Sequence, residues 1–397
     1  MKEIEIWDFR SPKYRHPKAV DWITQAALGA IIGEWMLGKR LGKQAMAWGA
    51  LLGIFPDLDI ILSLPFSTGF QLAFRQSFSH SIWLLPFIAF GLGHLLEKHW
   101  KLYKISRMHA AGFAMLAMSA HVFLECLTAD GAAVLWPFLS NRISLGLLFW
   151  VDPLFSLILI ITVVRLLILP IKTESKARRK TLPPPSSRRR ACLYGLGIGT
   201  SYLCLSLGLK LLVASGFESD LGQRPTSYQK MITAPASSNL FFWRAVVARE
   251  NEFWVGYRSI FENPKSKVRW TLYPQNKAAL AGLEEKFEVR TLFRVTDGWW
   301  LARAHSKGTW IGDIRHSEVR NWGDKKGMVD SRLAHSWVFN PNGENHKLRL
   351  IDEAWRNSKE MRRRMFARIF GNHAEWEANP RLAGVPGSLP EFLPAEE

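Results

Sequence analysis

The chain reads as two patterns joined near residue 217. Before it, long apolar runs alternate with short basic connections: Ile23 to Leu37, Gln44 to Phe66, Ser81 to Leu96, Met108 to Leu127, Ser144 to Leu169 and Ala191 to Phe217. A helix that crosses a bilayer needs about 20 largely apolar residues, which the second, fourth, fifth and sixth runs supply. The first and third are short and suit a barely tilted span, an interfacial helix or a re-entrant segment covered by protein. The pattern predicts a polytopic α-helical membrane bundle of about five to six transmembrane helices.

Beyond Phe217 the runs shorten and fill with β-formers: Leu240 to Ala248, Phe253 to Phe261, Val268 to Tyr273, Phe287 to Val295, Trp299 to Ala304 and Trp310 to Ile314. These predict strands, and helical patterns follow at Asn276 to Glu285 and Ile351 to Phe370. The expected fold is therefore a membrane bundle followed by a soluble α+β domain with a mainly antiparallel sheet. The divisions are a polar tail over 1–22, a membrane helical domain over 23–171, a basic Pro-rich linker over 172–190, a last transmembrane helix over 191–217 and the soluble domain over 218–397. Pro183, Pro184 and Pro185 make part of that linker stiff and extended.

Charge orients this arrangement. Lys39, Arg40 and Lys43 separate the first two runs, Lys98, Lys101, Lys104 and Arg107 the third and fourth, and eight basic residues between Lys172 and Arg190 the fifth and sixth. The other connections carry only Arg75 and Arg142. Lys and Arg concentrate on the cytoplasmic side of short loops. Six alternating spans would then put the N-terminus and the C-terminal domain outside, on the periplasmic face of a bacterial inner membrane. No cleavable signal peptide is visible in the polar first 20 residues.

Composition adds less. The chain is 48 % hydrophobic and 22 % charged, averages that merge its two halves. Its net charge of +18 fits basic loops facing anionic lipid better than a nucleic-acid partner. Cys126, Cys192 and Cys204 lie in apolar runs, so neither a disulfide framework nor a Cys-based zinc ribbon is available. Ten of the 18 Trp follow Phe217 and are read first as core, with a carbohydrate or lipid-surface contact as the minority reading.

Ionisable residues in membrane segments are costly, and each is a functional candidate. Asp57 and Asp59 follow Pro56 in the second run; His80 precedes the third; His121 and Glu125 lie in the fourth; Asp152 lies in the fifth. Pro56 should interrupt its helix and turn both aspartates toward one cavity. His121 and Glu125, four apart, share a helical face, which suits two ligands of one metal ion. In the alternating topology all six reach the same, external helix ends. His121 with Glu125 could instead be a buried hydrogen-bonded pair, and Asp57 a helix cap, but the convergent set favours a divalent metal. Zinc is the first choice, with manganese or iron as alternatives. His305, His316, His335, His346 and His373 show no ligand spacing and receive no role.

At these residues the chain resembles a bacterial family described as LexA-binding, inner-membrane-associated metal-dependent hydrolases. The resemblance rests on Asp21-Trp-Ile-Thr24-Gln25-Ala-Ala-Leu-Gly29, Trp48-Gly-Ala-Leu-Leu-Gly53-Ile-Phe-Pro56-Asp57-Leu-Asp59, Phe78-Ser79-His80-Ser81 and His121-Val-Phe-Leu-Glu125-Cys-Leu-Thr128. It continues through Trp136-Pro137-Phe138, Arg142 and Val151-Asp152-Pro153-Leu154, covering roughly the first 170 residues. It implies hydrolysis at the membrane, with Asp57, Asp59, His80, His121 and Glu125 as metal ligands and Asp152 as a further or supporting one. Three positions depart from the family pattern: Arg75 and Gln25 stand where His is common, and Glu125 where Asp is. The leading expectation is metal-activated water attacking an ester or phosphoester of a lipid or lipid-linked substrate. The alternative is a non-enzymatic scaffold or transport-related protein whose outer domain binds a protein partner.

Overall fold

In the computed structural model the described residues are 19–170, 187–373 apart from 226, 264, 306–307, 323–328, 334, 341–347 and 352–358, and then 376 and 380–382. The Pro-rich linker and the N-terminal tail lie outside them. Helix α1 (Ala19–Leu41) turns at Gly42, whose φ is +58°, into α2 (Lys43–Ile54). A 3-10 turn at Phe55–Asp57 separates α2 from α3 (Leu58–Ser63), as expected where Pro56 withholds a helical donor.

Small residues explain how closely α1 and α2 pair. Gly29 and Gly33 on α1, Gly49 and Gly53 on α2, repeat the small-xxx-small spacing that lets helix backbones meet in a membrane. A methyl group built on Gly49 would run into the carbonyl oxygen of Gly29, and one on Gly33 into that of Ala45. Gly53 faces the Gln25 carbonyl, so the pairing is antiparallel and runs the length of α2. Gly49→Ala is expected to cost about 1–3 kcal/mol as an overpacked contact, read from the midpoint of unfolding by SDS titration. Gly112→Ala in the helix Arg107–Cys126, where a new methyl meets nothing within 4 Å, is the control that should cost none; equal midpoints for both would refute the backbone contact.

The chain continues through α4 (Thr68–Phe74), a 3-10 turn at Phe78–His80, α5 (Leu85–His99), α6 (Arg107–Cys126), α7 (Pro153–Ile168) and α8 (Ser187–Gly222). Among the described residues three helical stretches are long and apolar enough to cross a membrane: Lys43–Ser63, Arg107–Cys126 and Ser187–Gly222. The segments Thr68–His80 and Leu85–His99, bent by 70°, could together form a fourth. Three to four candidate spans are thus found among the described residues, and the expected five to six are not confirmed.

The reason is visible in the fifth apolar run. Residues 144–152 do not extend α7 but lie along the segment after α6, with Leu145 and Leu147 donating backbone hydrogen bonds to Cys126 and Leu127. The helix begins only at Pro153, and its 16 residues rise about 24 Å, short of a hydrocarbon core about 30 Å thick. Helix α1, although 23 residues long, carries Asp21, Glu34, Lys39 and Arg40.

Helix α8 has 36 residues, about 54 Å at the α-helical rise, and outruns a bilayer. Its last turns pack Val213, Phe217 and Leu221 against Leu240, Trp243 and Trp270 of the C-terminal domain. Asp220 accepts from the Val268 amide and the Trp270 indole, so the helix and the sheet are joined through a buried carboxylate. Strands β1 (Lys230–Ser237), β2 (Asn239–Ala248), β3 (Glu252–Ser259) and β4 (Thr271–Pro274) form an antiparallel meander. A second antiparallel sheet contains β5 (Trp300–His305), β6 (Gly308–Asp313), β9 (Ser336–Phe339) and β10 (Leu348–Ile351). Strands β7 (Glu318–Trp322), β8 (Val329–Leu333) and β11 (Pro380–Leu382) make a third, in which β11 runs parallel to β8.

Two local expectations change. Phe287–Val295 is a helix, α9, rather than a strand. Its Val289, Leu292 and Val295 recur every three residues and are buried, the spacing of a helical face that its β-branched content obscured. The helix expected over Asn276 to Glu285 reduces to a 3-10 turn at Lys277–Leu280. In the last pattern Ile351 closes β10 and α10 spans Lys359–Ile369.

Candidate metal centre

Three elements meet at one buried point. The 3-10 turn after Pro56 supplies Asp57, the turn before α5 supplies His80, and α6 supplies His121 and Glu125 from a single face. One ligand atom from each of the four lies within 4.8 Å of all the others, and all four residues are at most 3 % exposed. Asp57 caps no helix, and neither of its carboxylate oxygens has a hydrogen-bond partner.

The supporting shell fixes which ring nitrogens face inward. His121 Nδ1 lies 2.7 Å from the Gly53 carbonyl, which can only accept, so Nδ1 carries the proton and Nε2 presents a lone pair. The carbonyl is placed there by the close α1–α2 contact. Ser79 Oγ donates to Asp59 Oδ2 at 2.9 Å and sits 2.8 Å from His80 Nδ1. With its own hydrogen directed to Asp59, Ser79 accepts from His80 Nδ1, while His80 Nε2 stands 2.8 Å from Glu125 Oε2, placed either to donate to that carboxylate as an imidazolium or to share a cation with it. The two Nε2 atoms stand 3.2 Å apart. That separation suits two ligands of one ion, since two ligands about 2.0–2.1 Å from a tetrahedral zinc stand about 3.3–3.4 Å apart.

Asp57 and Asp59 therefore divide their work. Asp59 holds Ser79 and accepts from the Gln76 amide at 2.8 Å, while Asp57 faces the imidazoles. Glu125 lies between: Oε2 is 2.8 Å from His80 Nε2, and Oε1 accepts from Gln76 Nε2 at 2.8 Å. Gln76 was not singled out in the sequence. It sits at φ +56° and links three parts of the site, since its own Oε1 accepts from Arg142 Nη1 at 2.7 Å. Burial and the nearby Arg315 lower the pKa of Arg142, against the opposing pull of Asp130 and Glu125.

Asp152 is placed elsewhere. Its Oδ1 accepts from the Leu154 and Phe155 amides, capping α7, and Tyr202 donates to the same carboxylate at 2.8 Å. Of the three departures from the family pattern, Glu125 lies in the cluster. Gln25 approaches the backbone carbonyl of His121 at 3.5 Å, and Arg75 offers its carbonyl to Arg142.

A second group, Asp130, His316 and His335, also brings ligand atoms within 4.8 Å of one another, where the segment after α6 meets the C-terminal domain. Two of these histidines had no ligand spacing in the sequence, because β-strand topology brings them together. Hydrogen bonding argues against a metal here. The Trp150 indole, a donor only, stands 3.1 Å from His316 Nδ1, so His316 Nε2 carries the proton and faces Asp130 at 3.1 Å. Burial raises the pKa of the neighbouring Asp313, but Arg315 and His316 outweigh it and hold this carboxylate below its ordinary range. The group joins two parts of the chain by charge-assisted hydrogen bonds.

Every member of the first cluster falls in a segment with known relatives. Residues 20–207 match the model of a family described as YdjM inner membrane protein. With the apolar helices, the match supports an inner-membrane bacterial family and membrane localisation. It runs from α1 into the middle of α8 and leaves the sheet domain outside. No curated protein and no solved structure gives a significant match.

Proposed function

We propose that this chain is an inner-membrane metal-dependent hydrolase whose ion is held by Asp57, His80, His121 and Glu125. The observation that carries the reading is the convergence of two imidazole nitrogens and the Glu125 carboxylate on a buried Asp57 carboxylate that has no hydrogen-bond partner. Burying an unpaired carboxylate costs several kcal/mol, and a divalent cation removes that cost for the whole cluster. Such an ion, once bound, supplies Lewis acidity enough to bring the pKa of a water to about 7.

The protein's own contribution is positional. Gly53 fixes the His121 tautomer, Ser79 orients His80 through Nδ1, Asp59 holds Ser79, and Gln76 holds Glu125 through Oε1. Zinc suits two imidazoles and two carboxylates best, with manganese or iron as alternatives. The basic connections Lys39 to Lys43 and Lys98 to Arg107 lie at the helix ends opposite the C-terminal domain, so the positive-inside rule puts that domain and the cluster toward the periplasm. An ester or phosphoester of a lipid or lipid-linked molecule is the substrate class reached most directly from there.

The test uses the full chain in nanodiscs, assayed on glycerophospholipids and on soluble aryl esters and phosphoesters. Turnover is expected with zinc, abolished by a chelator and by His121→Ala, and restored to the parent by added metal. Turnover that survives both treatments would exclude the mechanism. Metal binding without turnover on any of these substrates would favour the scaffold instead.

A further inference from the structure

Four phenylalanines recur at four-residue spacing on and around α4: Phe66, Phe70, Phe74 and Phe78. Their ring centroids follow one another at 4.5, 5.6 and 5.6 Å, and the line continues to Trp136 at 6.1 Å. A second pair, Trp83 with Phe138 at 5.7 Å, adjoins its end. Backbone hydrogen bonding of Ile82 to Val134 ties the two segments together. This aromatic stripe is half-buried at Phe70, Phe74 and Trp136 and outward-facing at Phe66, Phe78, Trp83 and Phe138, the last 76 % exposed. A water-facing stripe of this size would be costly in a soluble protein.

We infer that the stripe lies in the bilayer interface, with α4 parallel to the membrane plane and its phenylalanines against lipid acyl chains. Three observations select lipid as the occupant. The stripe starts directly after the candidate span Lys43–Ser63 and reaches the start of α5, so it adjoins segments apolar enough to lie in a membrane. The segment Thr68–His80 is bent 70° from α5; if α5 runs near the membrane normal, with tilts averaging about 20°, α4 lies close to the plane. The opposite side of α4 is already occupied. Leu72 packs on the α9 core, and Gly69 abuts Phe287 and Glu288. Leu72 is two residues from Phe70, about 200° around a helix, so one face meets the C-terminal domain while the other is left for lipid.

The geometry is that of an amphipathic helix seated at the headgroup level, with Trp83 and Trp136 where interfacial aromatics gather. It also has a consequence for the cluster. Phe78 of the stripe lies two residues before His80, so acyl chains resting on it would lie beside the site. The inference uses the membrane assignment and not the metal chemistry, and its test reads neither metal nor turnover.

The experiment is spin labelling of the full chain in phosphatidylcholine and phosphatidylglycerol nanodiscs, in a Cys204→Ser background. Labels are placed by F66C, F78C and F138C, with L95C on α5 as the lipid reference and E284C in the C-terminal domain as the water reference. Collision with oxygen should exceed collision with a water-soluble nickel chelate at all three sites, as at residue 95. Positions 66 and 78 should report depths equal to within about one helical turn, ~5 Å. Nickel accessibility like that of residue 284 would overturn the inference. Depths differing by most of the length of the stripe would overturn it too, by standing α4 along the membrane normal.

Discussion

Detergent-purified protein should carry roughly one equivalent of zinc, manganese or iron per chain, and the double variant His121→Ala, Glu125→Ala should carry none while still melting cooperatively. The expectation follows from the donor set. Removing both α6 side chains leaves Asp57 and His80, too few for a tight site. It also removes like charge from a buried cluster, so the fold has no reason to collapse. The same logic separates a metal site from its main rival, an imidazolium. Protonated His80 could satisfy Glu125 through Nε2 and Ser79 through Nδ1, and the cluster would then be a buried ion network without metal.

Ser79→Ala distinguishes the two accounts. Outer-shell partners of a metal-bound histidine are worth about 10–100-fold in metal affinity, so competition with a chromogenic chelator should show a loss of that size. An imidazolium network has no chelator dependence at all. Absence of metal from the parent protein, even after dialysis against zinc, would remove the hydrolytic mechanism and leave the membrane scaffold.

What the sequence disclosed follows from spacing. His121 and Glu125 lie four apart on one helix, so their shared face could be read directly, and Pro56 announced the break that delivers Asp57. Glycines 29, 33, 49 and 53 are also regularly spaced, yet their meaning as a helix–helix contact depends on which helices pair. Gln76 gives no signal of its own, because its role comes from a backbone turned to positive φ beside two carboxylates. Asp152 sits in an ionisable cluster by sequence order alone; the fold uses it to start α7, and that late start shortens an apolar run that had looked long enough to span. His316 and His335 show the converse, brought together by strand pairing that no local pattern records.

Arg188 illustrates the same limit and carries the second large effect. By position it belongs to the basic run before the last transmembrane helix, a set of loop charges. In the structure it lies in the first turn of α8, buried, and donates from Nε and Nη2 to the two oxygens of Glu34 on α1, each at 2.7 Å. Its remaining nitrogen donates to the carbonyls of Leu166 and Leu169 at the end of α7. One guanidinium thus joins α1, α7 and α8, and satisfies carbonyls that a helix end leaves without partners. Glu34→Ala strands that charge in the bundle, and breaking one side of a buried pair costs about 3–5 kcal/mol. Unfolding by SDS titration should show a loss of this size. The double variant Glu34→Leu, Arg188→Met should recover most of it, because removing both partners leaves no unpaired charge and only the α7 carbonyls to find other donors. If the single variant matches the parent, the pair is exposed to water in the membrane protein. If the double variant is as unstable as the single one, the stability lies in the carbonyl contacts rather than in the ion pair.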